Sequence, residues 1–121
     1  MDTILMKYRD LENEYLVYDT NKYHADINGH AVRSICSQNC GMKSSAVVVG
    51  PYRNRDGQLD VKVFSPDGEE QSANVAAKNA GLRYLQDAGY LPENKADHFD
   101  AKAVGKVFLS GAFLSACHIG A

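Results

Sequence analysis

The chain has 121 residues, a formal net charge of −2 and 45% hydrophobic residues, as expected for one ordinary globular domain that buries a core. The small net charge excludes a broad basic surface for DNA or RNA, and no apolar run reaches the roughly 18 residues that cross a membrane. Three cysteines without scaffold spacing and an N-terminus without a signal-peptide pattern predict a cytoplasmic protein.

Short apolar and aromatic runs near the N-terminus predict two strands, at 3–8 and 15–18, joined by a charged loop at 9–14. Within the second run we expect Tyr15 and Tyr18 to be divided between the core and the outside. A turn-like connection follows these strands.

A short helix is predicted at 31–40, because Ala31, Ile35 and Cys36 fall on one helical face and Gly41 is a typical helix stop. Cys36 and Cys40 are four residues apart, and with Cys117 or His118 they could ligate a metal. This spacing differs from structural zinc sites, so we interpret both cysteines as small core residues and predict no metal and no cofactor.

Two further strands and a hairpin are predicted in the middle of the chain. A β-branched run at 46–49 is followed by Gly50-Pro51, which we expect to end the strand. Polar residues at 52–58 predict a hairpin loop. The strict alternation at 59–63 predicts a half-buried strand, which a Pro66-Asp67-Gly68 turn closes.

The strongest helix is predicted at 71–88, where Val75, Leu82 and Leu85 recur near helical spacing and alanines fill close contacts. A polar connection follows at 92–100. The tail at 102–118 fits either a hairpin turning near Gly111 or a helix, and its two glycines favour strands.

Three segments carry a resemblance to a known family. They are the two N-terminal runs with the loop between them, a turn, and part of the strong helix: Lys7 to Asp19, Phe64-Ser65-Pro66-Asp67-Gly68 and Leu82-Arg83-Tyr84-Leu85. In order and spacing they resemble the N-terminal half of diaminopimelate epimerases. The resemblance implies an α+β fold, in which a curved antiparallel or mixed sheet wraps around one central helix. It also implies that residues 1–121 form a single domain of this kind.

The family's first motif is His-Gly-Leu-Gly-Asn-Asp, whose asparagine contacts the amino-acid substrate. The corresponding segment retains the asparagine and has acidic residues in place of both glycines: Arg9-Asp10-Leu11-Glu12-Asn13-Glu14. A carboxylate there adds bulk and repels a substrate carboxylate. The second motif keeps Cys36 and Gly41 but replaces its later Gly, Asp and Gly with Lys43, Ser45 and Ala46.

The third motif, Cys-Gly-Asn-Gly, holds the thiol that handles the substrate's α-proton at the start of the central helix. Aligned without gaps from Phe64, the cysteine position here is Asn74, and a shift of two residues places Ser72 there instead. Neither residue is a thiol, an amide cannot act as a proton-transfer base, and an unassisted serine hydroxyl is far less acidic than a cysteine. The resemblance therefore predicts a fold without the enzyme's catalytic residues.

We expect a non-catalytic interaction protein, of a size that suits a phage or mobile-element inhibitor of a host defence complex, such as an anti-CRISPR. Its partner is expected to be a protein rather than a nucleic acid or a membrane, and exposure of the half-fold's face predicts a homodimer or a hetero-complex. The candidate contact patch is acidic, Asp10, Glu12 and Glu14 with Asn13. The alternative is that these residues form a solvated loop.

Two other functions remain open. The chain could be one half of a split amino-acid racemase or epimerase, completed by a separately encoded second half. It could also be an amino-acid-binding sensor that uses a vestigial ligand pocket formed by Asn13, Ser72 and Asn74. Deuterium exchange at the α-carbon distinguishes the enzyme, and ligand-dependent thermal stabilisation distinguishes the sensor.

Overall fold

The computed structural model describes residues 3–23, 27–38, 44–71, 74–91 and 101–109. Within these ranges one mixed sheet has the strand order β4-β3-β2-β1-β5, with β2 and β3 parallel and the other neighbours antiparallel. The α+β class predicted from the sequence is confirmed. The elements in chain order are β1 (Thr3–Asp10), β2 (Asn13–Asp19), α1 (Gly29–Gln38), β3 (Ser44–Arg53), β4 (Leu59–Phe64), α2 (Val75–Asp87) and β5 (Lys102–Leu109).

The two parallel strands are buried on both faces because a helix packs on each side of the sheet. Successive residues of β2 and β3 point to opposite faces, and residues 15–18 and 46–49 are all buried. On the α2 face lie Tyr8, Tyr15, Val17, Ala46, Val48, Val61, Val63, Ala77, Ala80, Tyr84 and Leu85. On the α1 face lie Leu5, Leu16, Tyr18, Val47, Val49, Phe64, Val107 and Leu109 with Ala31, Val32 and Ile35.

Helix α2 lies close to the sheet because the residues that meet it are small. Ala77 and Ala80 are completely buried, and Gly81 follows directly. A Cβ atom at Gly81 would lie 2.6 Å from Cγ1 of Val48, closer than any ordinary carbon–carbon contact. The glycine therefore sets the distance between helix and sheet at this point.

Helix α1 begins at a close contact between two backbones. Asn28 caps it, since its Oδ1 accepts a hydrogen bond from the N–H of Ala31 at 2.9 Å. A Cβ atom at Gly29 would lie 2.1 Å from the carbonyl oxygen of Gly68, which belongs to the turn after β4. Gly68 itself has a φ of 88°, a conformation that favours glycine.

The structure corrects two predictions about the first two strands and confirms one about helix α1. The charged loop expected at 9–14 is a two-residue turn, because β1 and β2 keep pairing up to Asp10 and Asn13. Tyr15 and Tyr18 are both buried, on opposite faces of a sheet that is covered on each side. The helical face of α1 is confirmed, with Ala31 and Ile35 buried and Cys36 packed against the same core.

Strand β3 continues through the point where the sequence predicted its end. Gly50 and Pro51 are joined by a cis peptide bond, and the register with β4 shifts between Val49 and Tyr52. Thr20 donates hydrogen bonds from its N–H to the Gly50 carbonyl at 2.8 Å and from its Oγ1 to the Pro51 carbonyl at 2.8 Å. These bonds satisfy the carbonyls where regular pairing is interrupted.

The strongest predicted helix is confirmed in type and shortened at both ends. Val75, expected in its apolar pattern, is 66% exposed in the first turn. Residues 102–109 form a strand, which excludes a helix there, and residues 110–118 lie outside the described ranges. No helix in the described part of the chain is long and apolar enough to cross a membrane.

The Gly29–Gly68 contact predicts an unequal response to two glycine substitutions. Gly29→Ala should lower the free energy of unfolding by about 1–3 kcal/mol, because the new methyl meets a backbone oxygen that cannot rotate away. Gly105→Ala should change it by less than about 0.5 kcal/mol, since no atom lies within 4 Å of a Cβ there. Urea unfolding followed by circular dichroism measures both, and equal midpoints would contradict the prediction.

Candidate functional site

The tip of the β1–β2 hairpin holds all four residues that the sequence proposed for interaction, Asp10, Glu12, Asn13 and Glu14. Asp10 and Asn13 pair across the strands, and Leu11 and Glu12 form the turn between them. Leu11 has a φ of 57°, in the left-handed region that bulky side chains disfavour, and its side chain is 88% exposed. The tip therefore presents an apolar side chain as well as polar ones.

The proposed acidic residues do not form one acidic surface. Glu14 lies opposite Arg9, and its Oε2 is 3.4 Å from the Arg9 guanidinium and 3.9 Å from Nζ of Lys7. Asp10 lies on the other face of the hairpin, where its charge adds to the effect of burial and raises the pKa of Tyr15. Strand alternation separates the two carboxylates, and the one on the α1 face is neutralised by cations.

Asn74, one of the three residues proposed for a vestigial ligand pocket, caps helix α2. Its Oδ1 accepts a hydrogen bond from the N–H of Ala77 at 3.1 Å, and its Nδ2 donates to Oε1 of Gln71 at 3.2 Å. The side chain is thereby occupied with the helix's own first turn. Ser72 lies outside the described residues, and Asn13 is exposed at the hairpin tip on a separate element.

Cys36 is the cysteine that the described ranges include, and it lies in α1. It packs against the core on the α1 face, and burial raises the pKa of its thiol. A raised pKa means less thiolate and lower reactivity near neutral pH. Within the described ranges no three His, Cys, Asp or Glu side chains come together as metal ligands, and Cys40, Cys117 and His118 lie outside those ranges.

Sequence reasoning missed a buried carboxylate at the end of β2. Asp19 is 2% exposed, and its Oδ1 accepts hydrogen bonds from the N–H groups of Asn21 at 2.8 Å and Lys22 at 3.2 Å. Its Oδ2 accepts from the hydroxyls of Tyr84 and, at 2.9 Å, of Tyr90. Four donors thus compensate the burial of this carboxylate.

A second tyrosine–carboxylate pair lies next to this one. The Tyr8 hydroxyl donates to Oδ2 of Asp87 at the end of α2, and the rings of Tyr8 and Tyr84 meet edge to face at 6.1 Å. Burial, followed by the hydrogen bonds to Asp87 and Asp19, raises the pKa of both phenols well above 10.0. The only sequence signal was the spacing of Tyr84, Asp87 and Tyr90, which resembles ordinary helix packing.

The structure also contains a groove at the hairpin tip that the sequence did not indicate. It measures about 380 Å³ and runs between the β1–β2 turn and the start of β5. We call it the tip groove, and it is lined by Arg9, Asp10, Leu11, Lys102 and Val104. No local sequence pattern indicates the groove, because β5 and the hairpin are more than eighty residues apart in the sequence.

Comparison with known proteins agrees with the family resemblance. The chain is similar to diaminopimelate epimerase 2 of Nostoc sp. (strain PCC 7120), with 30% identity over 87 residues. The matched segment is 72% of this chain and 30% of that epimerase, so the chain spans about a third of its relative. No protein-family model matches the chain. The similarity and the mixed sheet support a relationship to an epimerase-like family.

Substitution of Asn74 tests its role as a helix cap. Asn74→Ala should lower the free energy of unfolding by about 1 kcal/mol, because the N–H of Ala77 loses its acceptor. Asn74→Asp keeps an acceptor at the same place and should retain most of the stability. Urea unfolding of both variants measures the difference, and equal losses would show that the cap is not what the side chain contributes.

The buried tyrosines predict a loss of stability at high pH. Folding raises the pKa of Tyr8 and Tyr84, so the stabilising effect of these two phenols is complete below pH 10.0 and is lost as the pH rises further. Each such tyrosine steepens the fall in unfolding free energy by about 1.4 kcal/mol per pH unit. Tyr84→Phe should lower stability at pH 8 by about 1–3 kcal/mol and make the decline above pH 10 shallower. An unchanged decline, measured by urea unfolding across pH 8–11, would contradict this role.

Proposed function

We propose that this chain is a non-catalytic protein-interaction module built on one half of an epimerase-like fold. The observation that carries the proposal is the position of Asn74. The resemblance, aligned without gaps from Phe64, places Asn74 at the family's catalytic thiol, and its side chain caps α2 through the N–H of Ala77. An amide committed to a helix cap offers no group that exchanges a proton near neutral pH.

The position of the described thiol supports the same proposal. Cys36 belongs to α1, which packs on the face of the sheet opposite α2. Removal of an α-proton requires a base within hydrogen-bond reach of that proton. A half-buried thiol on the far side of a five-stranded sheet from the α2 N-terminus is poorly placed for chemistry at that helix.

The finer form of the proposal concerns the partner. A small protein related to an enzyme but without its catalytic residues suits an inhibitor that binds another protein, for example a phage or mobile-element protein that blocks a host defence complex in the cytoplasm. The exposed hairpin tip, with Leu11 and Glu12 at its end, supports a role in contacts. Self-association into a homodimer is the alternative use of such a surface.

The proposal predicts no exchange of α-protons. The chain, incubated in deuterium oxide with a panel of amino acids and diaminopimelate, should incorporate no deuterium at the α-carbon by proton NMR. A full-length diaminopimelate epimerase under the same conditions is the positive control. Asn74→Cys should also remain inactive, because it supplies a thiol on only one face of the substrate.

A second arm of the experiment separates the remaining functions. Exchange by the wild-type chain, alone or with an added second half captured from lysate, would overturn the proposal in favour of a split epimerase. Thermal stabilisation by a single amino acid, abolished by Asn13→Ala, would overturn it in favour of a sensor. Stoichiometric capture of a defence complex by the tagged chain would support the inhibitor form.

A further inference from the structure

The α1 face of the sheet carries a cluster of positive charge at the end where the hairpin tip lies. Arg9 pairs with Glu14 of β2 on one side and with Lys102 of β5 on the other, and paired residues share a face. Lys7 lies two residues before Arg9 and therefore faces the same way. We call these three cations around Glu14 the basic corner.

The basic corner has more positive charge than its own carboxylate can neutralise. Lys7 and Arg9 both approach Oε2 of Glu14, and none of the ion pairs among the described residues includes Lys102. The local charge is therefore +2, in a chain whose total is −2. Like charges directly opposite each other across two strands are destabilising unless an anion lies between them.

The tip groove beside the basic corner has apolar walls. Leu11 is 88% exposed and Val104 is 43% exposed, and both line the groove. Lys7 pairs with Gly105 and Tyr8 pairs with Ala103, so Val104 is the extra residue of a β-bulge in β5. Open space also surrounds the Cα of Gly105, opposite Lys7, where a Cβ would meet no atom within 4 Å.

In the described part of the chain, burial does not account for a leucine at position 11. The left-handed conformation costs a non-glycine residue roughly 1–2 kcal/mol, and an 88% exposed side chain recovers almost none of it by burial. Asparagine or glycine would form the same turn at lower cost. Strain retained at an exposed position indicates a function that lies outside the chain itself.

We propose that the tip groove and the basic corner dock an extended acidic and apolar segment of a partner protein. Its carboxylates would pair with Arg9 and Lys102, and its apolar side chains would cover Leu11 and Val104. This proposal rests on the interaction function proposed above and names the chemistry of the partner.

A nucleic acid fits this surface less well than a protein segment. A phosphate backbone offers charge to the cations but no apolar groups to Leu11 and Val104. The chain's net charge of −2 also repels a long polyanion, whereas a short acidic segment meets only the local charge of the corner.

The test uses a fluorescein-labelled peptide as long as β5, eight residues of alternating Glu and Leu, and measures fluorescence anisotropy against the full chain. We expect saturable binding that weakens with salt, and at least tenfold weaker binding by Lys102→Glu. Lys106→Glu is the matched control, because it makes the same charge change on the same strand but pairs with Met6 on the other face. Its affinity should stay within about twofold of the wild type.

Leu11→Asn separates the apolar contact from stability. It should bind the peptide at least threefold more weakly while unfolding at an equal or higher urea concentration than the wild type. No binding by the wild-type chain, or equal losses in Lys102→Glu and Lys106→Glu, would overturn the proposal. Tighter binding of a labelled single-stranded DNA of eight nucleotides than of the peptide would overturn it in favour of a nucleic-acid site.

The result of the peptide-binding test can be distinguished from the result of the deuterium-exchange test of the interaction function. Deuterium exchange by the wild-type chain would overturn the interaction function whatever the peptide does. Absence of both exchange and peptide binding would leave an interaction protein with a different docking surface. A peptide in which Gln replaces Glu should bind at least tenfold more weakly, and equal binding of the two peptides would overturn the ionic part of the proposal.

Discussion

The burial of one carboxylate constrains much of this structure. Asp19 ends β2 with 2% exposure, and an ionised group at that depth is tolerated only if hydrogen bonds surround it. Two of its donors are N–H groups of the chain that follows β2, and the other two are hydroxyls of Tyr84 in α2 and Tyr90 just beyond it. A movement of α2 would remove the two hydroxyl donors from the carboxylate, so the helix and the end of the strand hold each other in place.

This constraint affects where polar groups are available for function. The tyrosine hydroxyls near the C-terminal end of α2 are committed to Asp19 and Asp87, and the amide at its N-terminal end caps the helix. The polar groups around α2 therefore serve its placement. The docking surface that we propose is at the hairpin tip, at the far end of β1 and β2 from Asp19. The buried contacts of Asp19 and the proposed docking surface thus use different parts of the same two strands.

The sequence predicts the helices and strands of this fold better than it predicts the contacts between their residues. The alternation at 59–63 and the apolar spacing at 71–88 predict β4 and α2, because each period follows from local geometry. The continuation of β3 through Pro51 could not be predicted, since it depends on hydrogen bonds from Thr20, which directly follows β2. The ion pairs of Glu14 could not be predicted for a similar reason. Its neighbours Lys7 and Arg9 are close only after β1 and β2 pair, and Lys102 arrives from the other end of the chain.

The pairing of β1 with β5 has a consequence for how the protein is made. Thr3 pairs with Leu109, so one edge of β1 has no partner until almost the whole described chain has left the ribosome. The β1–β2 hairpin forms in microseconds from local contacts, whereas translation adds only about 5–20 residues per second. For several seconds the nascent chain therefore exposes the edge of β1 and the apolar surface of Leu5 that Val107 later covers. A chaperone that binds extended apolar segments would find its target at β1, and its release would coincide with the arrival of β5.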